Sequence, residues 1–172
     1  MKKQLIMASA IVSISSIAVI ASAQSMQNSN AQKPDVVVLA KDFIPGQSTN
    51  VALGGPNNIY GADVLLNAPP YQDVNNTATF RFVVPKGRGG RYNLFVEYAA
   101  LSPRPVNIMV NSKFFPTAMN AATGCWETTC QQLLIEGAVT LKPGVNSIVV
   151  RRTSVFPHIR KFVFRAPGII AD

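Results

Sequence analysis

Between residues 77 and 166 the chain repeatedly alternates apolar and polar residues with a period of two. In TATFRFVV (77–84), Ala78, Phe80, Phe82 and Val84 share one face. In RYNLFVEYA (91–99), Tyr92, Leu94, Val96 and Tyr98 share one face, and Asn93, Phe95 and Glu97 the other. PVNIMVNSK (105–113) turns Val106, Ile108 and Val110 one way. NSIVVRR (146–152) sets Ile148 and Val150 against Ser147, Val149 and Arg151. QLLIEGAVTL (132–141) is a mixed run interrupted at Gly137, and RKFVFRA (160–166) is the last run. DVVVLA (35–40) and VAL (51–53) are earlier candidates. A strand sends successive side chains to opposite faces, so each run predicts a strand with one face against a core.

Turn chemistry joins the runs. PKGRGG (85–90) and LKPGVN (141–146) each precede a strand, and Pro and Gly suit turns better than a central ladder. No segment after residue 24 carries a helical stripe with caps. Many short strands without helices predict an all-β fold, a two-sheet antiparallel β-sandwich of the jelly-roll type.

The N-terminus follows a different pattern. Lys2 and Lys3 precede an apolar stretch from Leu5 to Ile20, and Ala21-Ser22-Ala23 has the A-x-A form of a cleavage site. Residues 1–23 therefore read as a secretory signal peptide. Ser9, Ser13, Ser15 and Ser16 dilute the stretch, against a membrane anchor. The expected mature protein is secreted or periplasmic and keeps no membrane span. Residues 24–34 are polar and aperiodic up to Lys33 and read as a flexible leader, and 35–168 as a single domain.

Composition adds a charge. Removing Lys2 and Lys3 from the 16 basic residues, against 8 acidic ones, leaves a net charge of +6. That balance suits anionic surroundings such as acidic polysaccharide. Arg151, Arg152, Arg160, Lys161 and Arg165 lie near the C-terminus, and Lys86, Arg88 and Arg91 around one turn. Both clusters also read as solvated strand faces and turns. No aromatic–basic interleaving of the kind that holds single-stranded nucleic acid is present, so no nucleic-acid partner is expected.

GCWETTC (124–130) holds the only tryptophan, Trp126, between the only two cysteines, Cys125 and Cys130. In an oxidising compartment such a pair forms a disulfide. Two cysteines and the single histidine make a poor zinc site. A loop this small contributes about 2 kcal/mol through chain entropy, so its purpose is local: holding the segment that carries Trp126. Two roles for Trp126 stand side by side, a binding platform and a plug of the core.

Five pieces in order resemble a known family: GGRYNLFVEYA, RPVNIMVNSK, GCWETT, VTLKPGVNSIVV and PHIRKFVF. Over roughly residues 76–166 they are similar to carbohydrate-binding modules of families 6 and 35, a galactose-binding-like jelly roll. The resemblance implies a non-catalytic module that grips poly- or oligosaccharide in a cleft of loops at one end. It implies that Trp126 stacks on a sugar ring. GGPNNIY (54–60) would supply Tyr60 as a second aromatic, with Asn57 and Asn58 as polar partners. The family's sugar-binding asparagine near the last strand is replaced by His158, in Pro157-His158-Ile159-Arg160. That replacement implies a site retuned to an acidic sugar, or one that has lost sugar. The family often holds a structural calcium. Here the first strand is VVVLA and Arg160 stands where the family has aspartate, so no calcium, other metal or cofactor is expected.

Two further functions compete. One is a structural or protein-interaction sandwich of the cell envelope that binds no sugar. The other is an enzyme, and the sequence argues against it. His158 could serve as a base, but nothing in the sequence ties Ser154 or Asp63 to it, and no G-x-S-x-G occurs. Glu97, Glu127 and Glu136 show no sign of forming a glycosidase pair.

Overall fold

The computed structural model describes residues 33–70 and 74–168. The expected signal peptide and residues 24–32 of the leader lie outside the described residues. Ten strands form two antiparallel sheets. They are β1 (Val36–Leu39), β2 (Val51–Leu53), β3 (Leu65–Asn67), β4 (Asn76–Val84), β5 (Gly90–Ala99), β6 (Val106–Val110), β7 (Lys113–Ala118), β8 (Gln132–Leu141), β9 (Gly144–Arg152) and β10 (His158–Arg165). One sheet runs β2-β3-β10-β5-β8, with β1 also paired to β10, and the other runs β4-β9-β6-β7. Between them only short 3-10 turns interrupt the described chain, so the architecture is the all-β sandwich that the alternation predicts.

The predicted inward faces are the core. Tyr92, Leu94, Val96 and Tyr98 of β5 are buried, as are Ala78 and Phe80 of β4, Val106, Ile108 and Val110 of β6, and Ile148 and Val150 of β9. Aromatic pairs join the two layers: Phe80 meets Phe162 edge-on and Phe82 stacks on Phe164, each at 5.1 Å between centroids. Such pairs add about 0.5–1.5 kcal/mol beyond area burial.

Two local features differ from the sequence expectation, and a third gives an expected break its form. The run 105–113 is not one strand. It turns at Asn111 and Ser112, where Asn111 adopts φ 53°, and continues as β7. Asparagine tolerates that left-handed conformation. β3 is a three-residue strand inside an irregular segment and has no alternation to read. The break at Gly137 is a β-bulge: Leu94 pairs with Gly137 but Phe95 with Ile135, leaving Glu136 unpaired in the ladder. Gly137 (φ 139°) has no Cβ to press on Phe115, which an added Cβ would meet at 3.3 Å.

The register explains the apolar residues on the outside. Val37 pairs with Val163, Val163 with Phe95, and Phe95 with Ile135. These four form one row across β1, β10, β5 and β8, opposite the core face. Phe95 and its neighbours thereby shield Val163, which is buried although it points outward. Beside that row, Glu97 forms ion pairs with Lys161 at 2.7 Å and with Arg160 at 3.6 Å.

From β4 onward the chain mostly crosses from sheet to sheet. His158 pairs with Ala99, Tyr98 with Gln132, and Asn76 with Arg152. The ends of β5 and β9, and the starts of β8 and β10, therefore lie together at one end of the sandwich. The connections 54–64, 100–105, 119–131 and 153–157 gather there.

Candidate functional site

Hydrogen bonds tie connection 100–105 to 119–131 and to 153–157, and 153–157 to β3. Thr123 donates its N–H to Ala100 O at 2.7 Å, and its hydroxyl accepts Ala100 N–H at 2.8 Å. Asn67 Oδ1 accepts Phe156 N–H, and Arg104 Nη1 donates to Phe156 O at 2.9 Å. The Phe156 side chain is fully buried and closes the core at this end.

Loop 54–64 reaches the cluster because of two glycines. An added Cβ on Gly54 would lie 2.3 Å from Gly61 O, so the loop closes on itself only with glycine there. Gly61 has φ 100°, and an added Cβ would sit 2.5 Å from Thr128 Cγ2. The loop backbone can therefore lie against the 3-10 turn Thr128–Cys130, which belongs to the disulfide-closed segment. Cys125 and Cys130 are bonded, with 5.5 Å between their Cα atoms.

The ring centroids of Tyr60 and His158 are 4.3 Å apart, and those of Trp126 and His158 are 5.3 Å apart. Asn58 Oδ1 accepts Tyr60 N–H at 2.9 Å, so this oxygen shapes the loop. Asn57 is exposed near the loop tip.

His158 is buried and its Nδ1 lies 2.9 Å from Trp126 O. A carbonyl oxygen only accepts, so Nδ1 carries the hydrogen. In the neutral ring Nε2 is then an acceptor suited to a hydroxyl. Burial holds the imidazole pKa below its ordinary value. The bond to Trp126 opposes that shift, Arg104 adds to it and Glu127 opposes it. His158 is accordingly neutral at neutral pH. Gln131 Nε2 donates to His158 O at 3.2 Å.

Arg104 is the residue that sequence reasoning missed. Its guanidinium carbon lies 3.7 Å from the Trp126 ring centroid, over the ring. Such a contact is worth about 0.5–1 kcal/mol when exposed and about 2 kcal/mol when desolvated. Trp126 itself is half-buried and packs against the core. Burial and the nearby Arg152 lower the Arg104 pKa, while Tyr60 acts the other way, and the group stays charged. Among the described residues no carboxylate pairs with Arg104 or Arg152. Among the described residues, Arg152 Nη1 and Gln131 Oε1 are buried with no hydrogen-bond partner. Arg104 sits between prolines in the aperiodic SPRP segment, which carries no motif to single it out.

A cavity of about 690 Å³ opens at the same end, lined by Pro105, Asn107, Arg151, Arg152 and Ser154 among others. Trp126, Tyr60 and His158 do not line it. Among the described residues no three of His, Cys, Asp and Glu cluster as metal ligands.

The fold matches solved structures of saccharide-binding modules. It superposes on a family 35 carbohydrate-binding module from Clostridium thermocellum with a TM-score of 0.57 and 23% identity, covering 77% of this chain and 99% of that one. The C-terminal family 6 module of a marine laminarinase from Zobellia galactanivorans gives 0.58 at 12% identity, covering 77% and 100%. A Podospora anserina β-(1,4)-mannanase that carries a family 35 module gives 0.53 at 18% identity, covering 82% of this chain. This chain spans 30% of that enzyme's length. No protein-family model and no curated protein matches the chain. The architecture is thus the family 6/35-like jelly roll.

Proposed function

We propose that this chain is a non-catalytic carbohydrate-binding module, secreted or periplasmic, in which residues 1–23 are a signal peptide, 24–34 a leader and 35–168 the module. Its ligand is a poly- or oligosaccharide, acidic ones included, held at the loop end by Trp126, Tyr60 and His158, with Asn57 and Asn58 at the rim. One observation carries this reading: aromatic rings from three separate segments meet, with Tyr60 and Trp126 at 4.3 and 5.3 Å from His158. Apolar faces beside a neutral imidazole acceptor suit the mixed C–H and hydroxyl surface of a sugar. The disulfide pre-orders the segment and so reduces the entropy lost on binding.

The test uses the single tryptophan as a probe. A glycan array should show saccharide binding, a cognate saccharide should change Trp126 emission, and Trp126→Ala should abolish binding while the sandwich stays folded. Emission indifferent to every array-positive saccharide would sink the assignment of Trp126.

One observation favours a second reading, a structural or protein-interaction sandwich of the envelope. Trp126 packs against the core and carries Arg104 on its ring. On this reading Trp126→Ala costs about 3–5 kcal/mol of stability, and no glycan binds.

A further inference from the structure

We propose that Arg104 is the specificity-determining residue of the loop-end site, a latch lying on Trp126 that admits saccharides bearing an anionic group and turns neutral ones away. This rests on the saccharide reading of the site above.

The geometry sets the conflict. At 3.7 Å from the ring centroid, the guanidinium is in van der Waals contact with the indole. No sugar ring fits between them. A saccharide stacks on that face only after Arg104 moves aside.

The partners of Arg104 decide what can move it. Among the described residues its hydrogen bond goes to a neutral acceptor, the Phe156 carbonyl. No described carboxylate pairs with it, and the neighbouring Arg152 adds like charge. Glu127 lies close enough to act on His158 but forms no ion pair with Arg104. A guanidinium binds a carboxylate or sulfate more strongly than a carbonyl, through two parallel N–H donors. An oxyanion on the ligand therefore gives Arg104 a better partner than the ring and releases the indole face. A neutral saccharide offers hydroxyls alone and must displace the cation without replacing it. Losing a stack of this kind corresponds to about a tenfold penalty on neutral binding. Uronate carboxylates and sulfate esters share the required chemistry.

The experiment compares wild type with Arg104→Met, which keeps the apolar stem, and Arg104→Lys, which keeps the charge. All three are applied to one array of neutral, uronate-bearing and sulfated glycans. Circular dichroism melts confirm folding. Acrylamide quenching of Trp126 reads the cover on the ring directly. The expected result is wild-type binding confined to anionic glycans, with the uronate and sulfate arms showing which oxyanion is read. Arg104→Met should lose that binding, gain neutral glycans by about tenfold and be quenched more readily. Arg104→Lys should keep the anionic preference at lower affinity.

Equal wild-type binding to neutral and anionic glycans, unchanged by Arg104→Met, would overturn the latch and leave the saccharide reading standing. Quenching unaltered in Arg104→Met would also overturn it. If no glycan binds to any of the three proteins, the saccharide reading falls and the selectivity falls with it.

Discussion

The Nδ1 of His158 lies 2.9 Å from the carbonyl oxygen of Trp126, so the first residue of β10 holds the backbone of the disulfide-closed segment. The bond joins two residues 32 positions apart and gives His158 a structural task beside any ligand contact.

That task predicts a pH dependence. Burial keeps the folded pKa of His158 below its ordinary value of about 6.5. Between the two values the unfolded chain binds more protons than the folded one. Stability from this group is therefore present above about pH 6.5 and is lost as pH falls through the folded value. Thermal melts from pH 7.5 downward should show wild type losing stability faster than His158→Gln. Parallel curves would show that His158 does not carry the effect.

Gly61 should be intolerant of a side chain. Its φ of 100° and the 2.5 Å approach of Thr128 Cγ2 to an added Cβ both oppose Gly61→Ala. A cost of about 1–3 kcal/mol is expected, together with weaker binding of any array-positive glycan as Tyr60 is pushed from His158. Adding Thr128→Ser removes the clashing methyl and should recover the steric part only. The double-mutant cycle separates contact from backbone strain.

Glu136, the bulge residue of β8, should be better as glutamine at neutral pH. Its carboxylate is half-buried, and burial raises its pKa, while the bond from Met119 N–H at 3.0 Å partly opposes that. A raised carboxylate pKa stabilises below the unfolded value of about 4.3, and that stability is lost as pH rises through the folded value. Glu136→Gln keeps an acceptor for Met119 and removes the charge. Its melting temperature should exceed wild type at pH 7, and the gap should close near pH 4. A lower melting temperature at pH 7 would show that the charge itself is needed.

The disulfide should be a local staple. Its cysteines are 5 positions apart in sequence, so removing it costs about 2 kcal/mol in the chain-entropy model. For a chain of this length that is roughly 4–8 °C in melting temperature. Cys125→Ser with Cys130→Ser should keep the circular dichroism spectrum of the sandwich. Complete unfolding of the double variant at 25 °C would show that the bond holds the whole fold.

The chain's alternation determined which side chains of β4, β5, β6 and β9 enter the core, because a strand's two faces follow from its covalent geometry alone. It also placed β2 and, within a residue or two, β1 and β10. Short-range patterning could not reveal β3, because three residues of strand exist only through their pairing with β2 and β10. The break at Gly137 was legible, but its form as a bulge that leaves Glu136 unpaired was not, nor was the outer row of Val37, Val163, Phe95 and Ile135. Both depend on the register between strands distant in sequence.

At the loop end, the sequence by itself nominated Tyr60, Trp126 and His158 by residue type and resemblance, and the cysteine pair by count. Only the tertiary structure decided that their rings meet, because Gly61 lets one loop lie against Thr128 and β10 begins beside the end of β5. It alone laid Arg104 on Trp126, a contact between aperiodic loops 22 residues apart. Periodicity encodes which way a side chain points from its own backbone. Which side chain it then touches depends on how distant segments pack, and no local pattern carries that information.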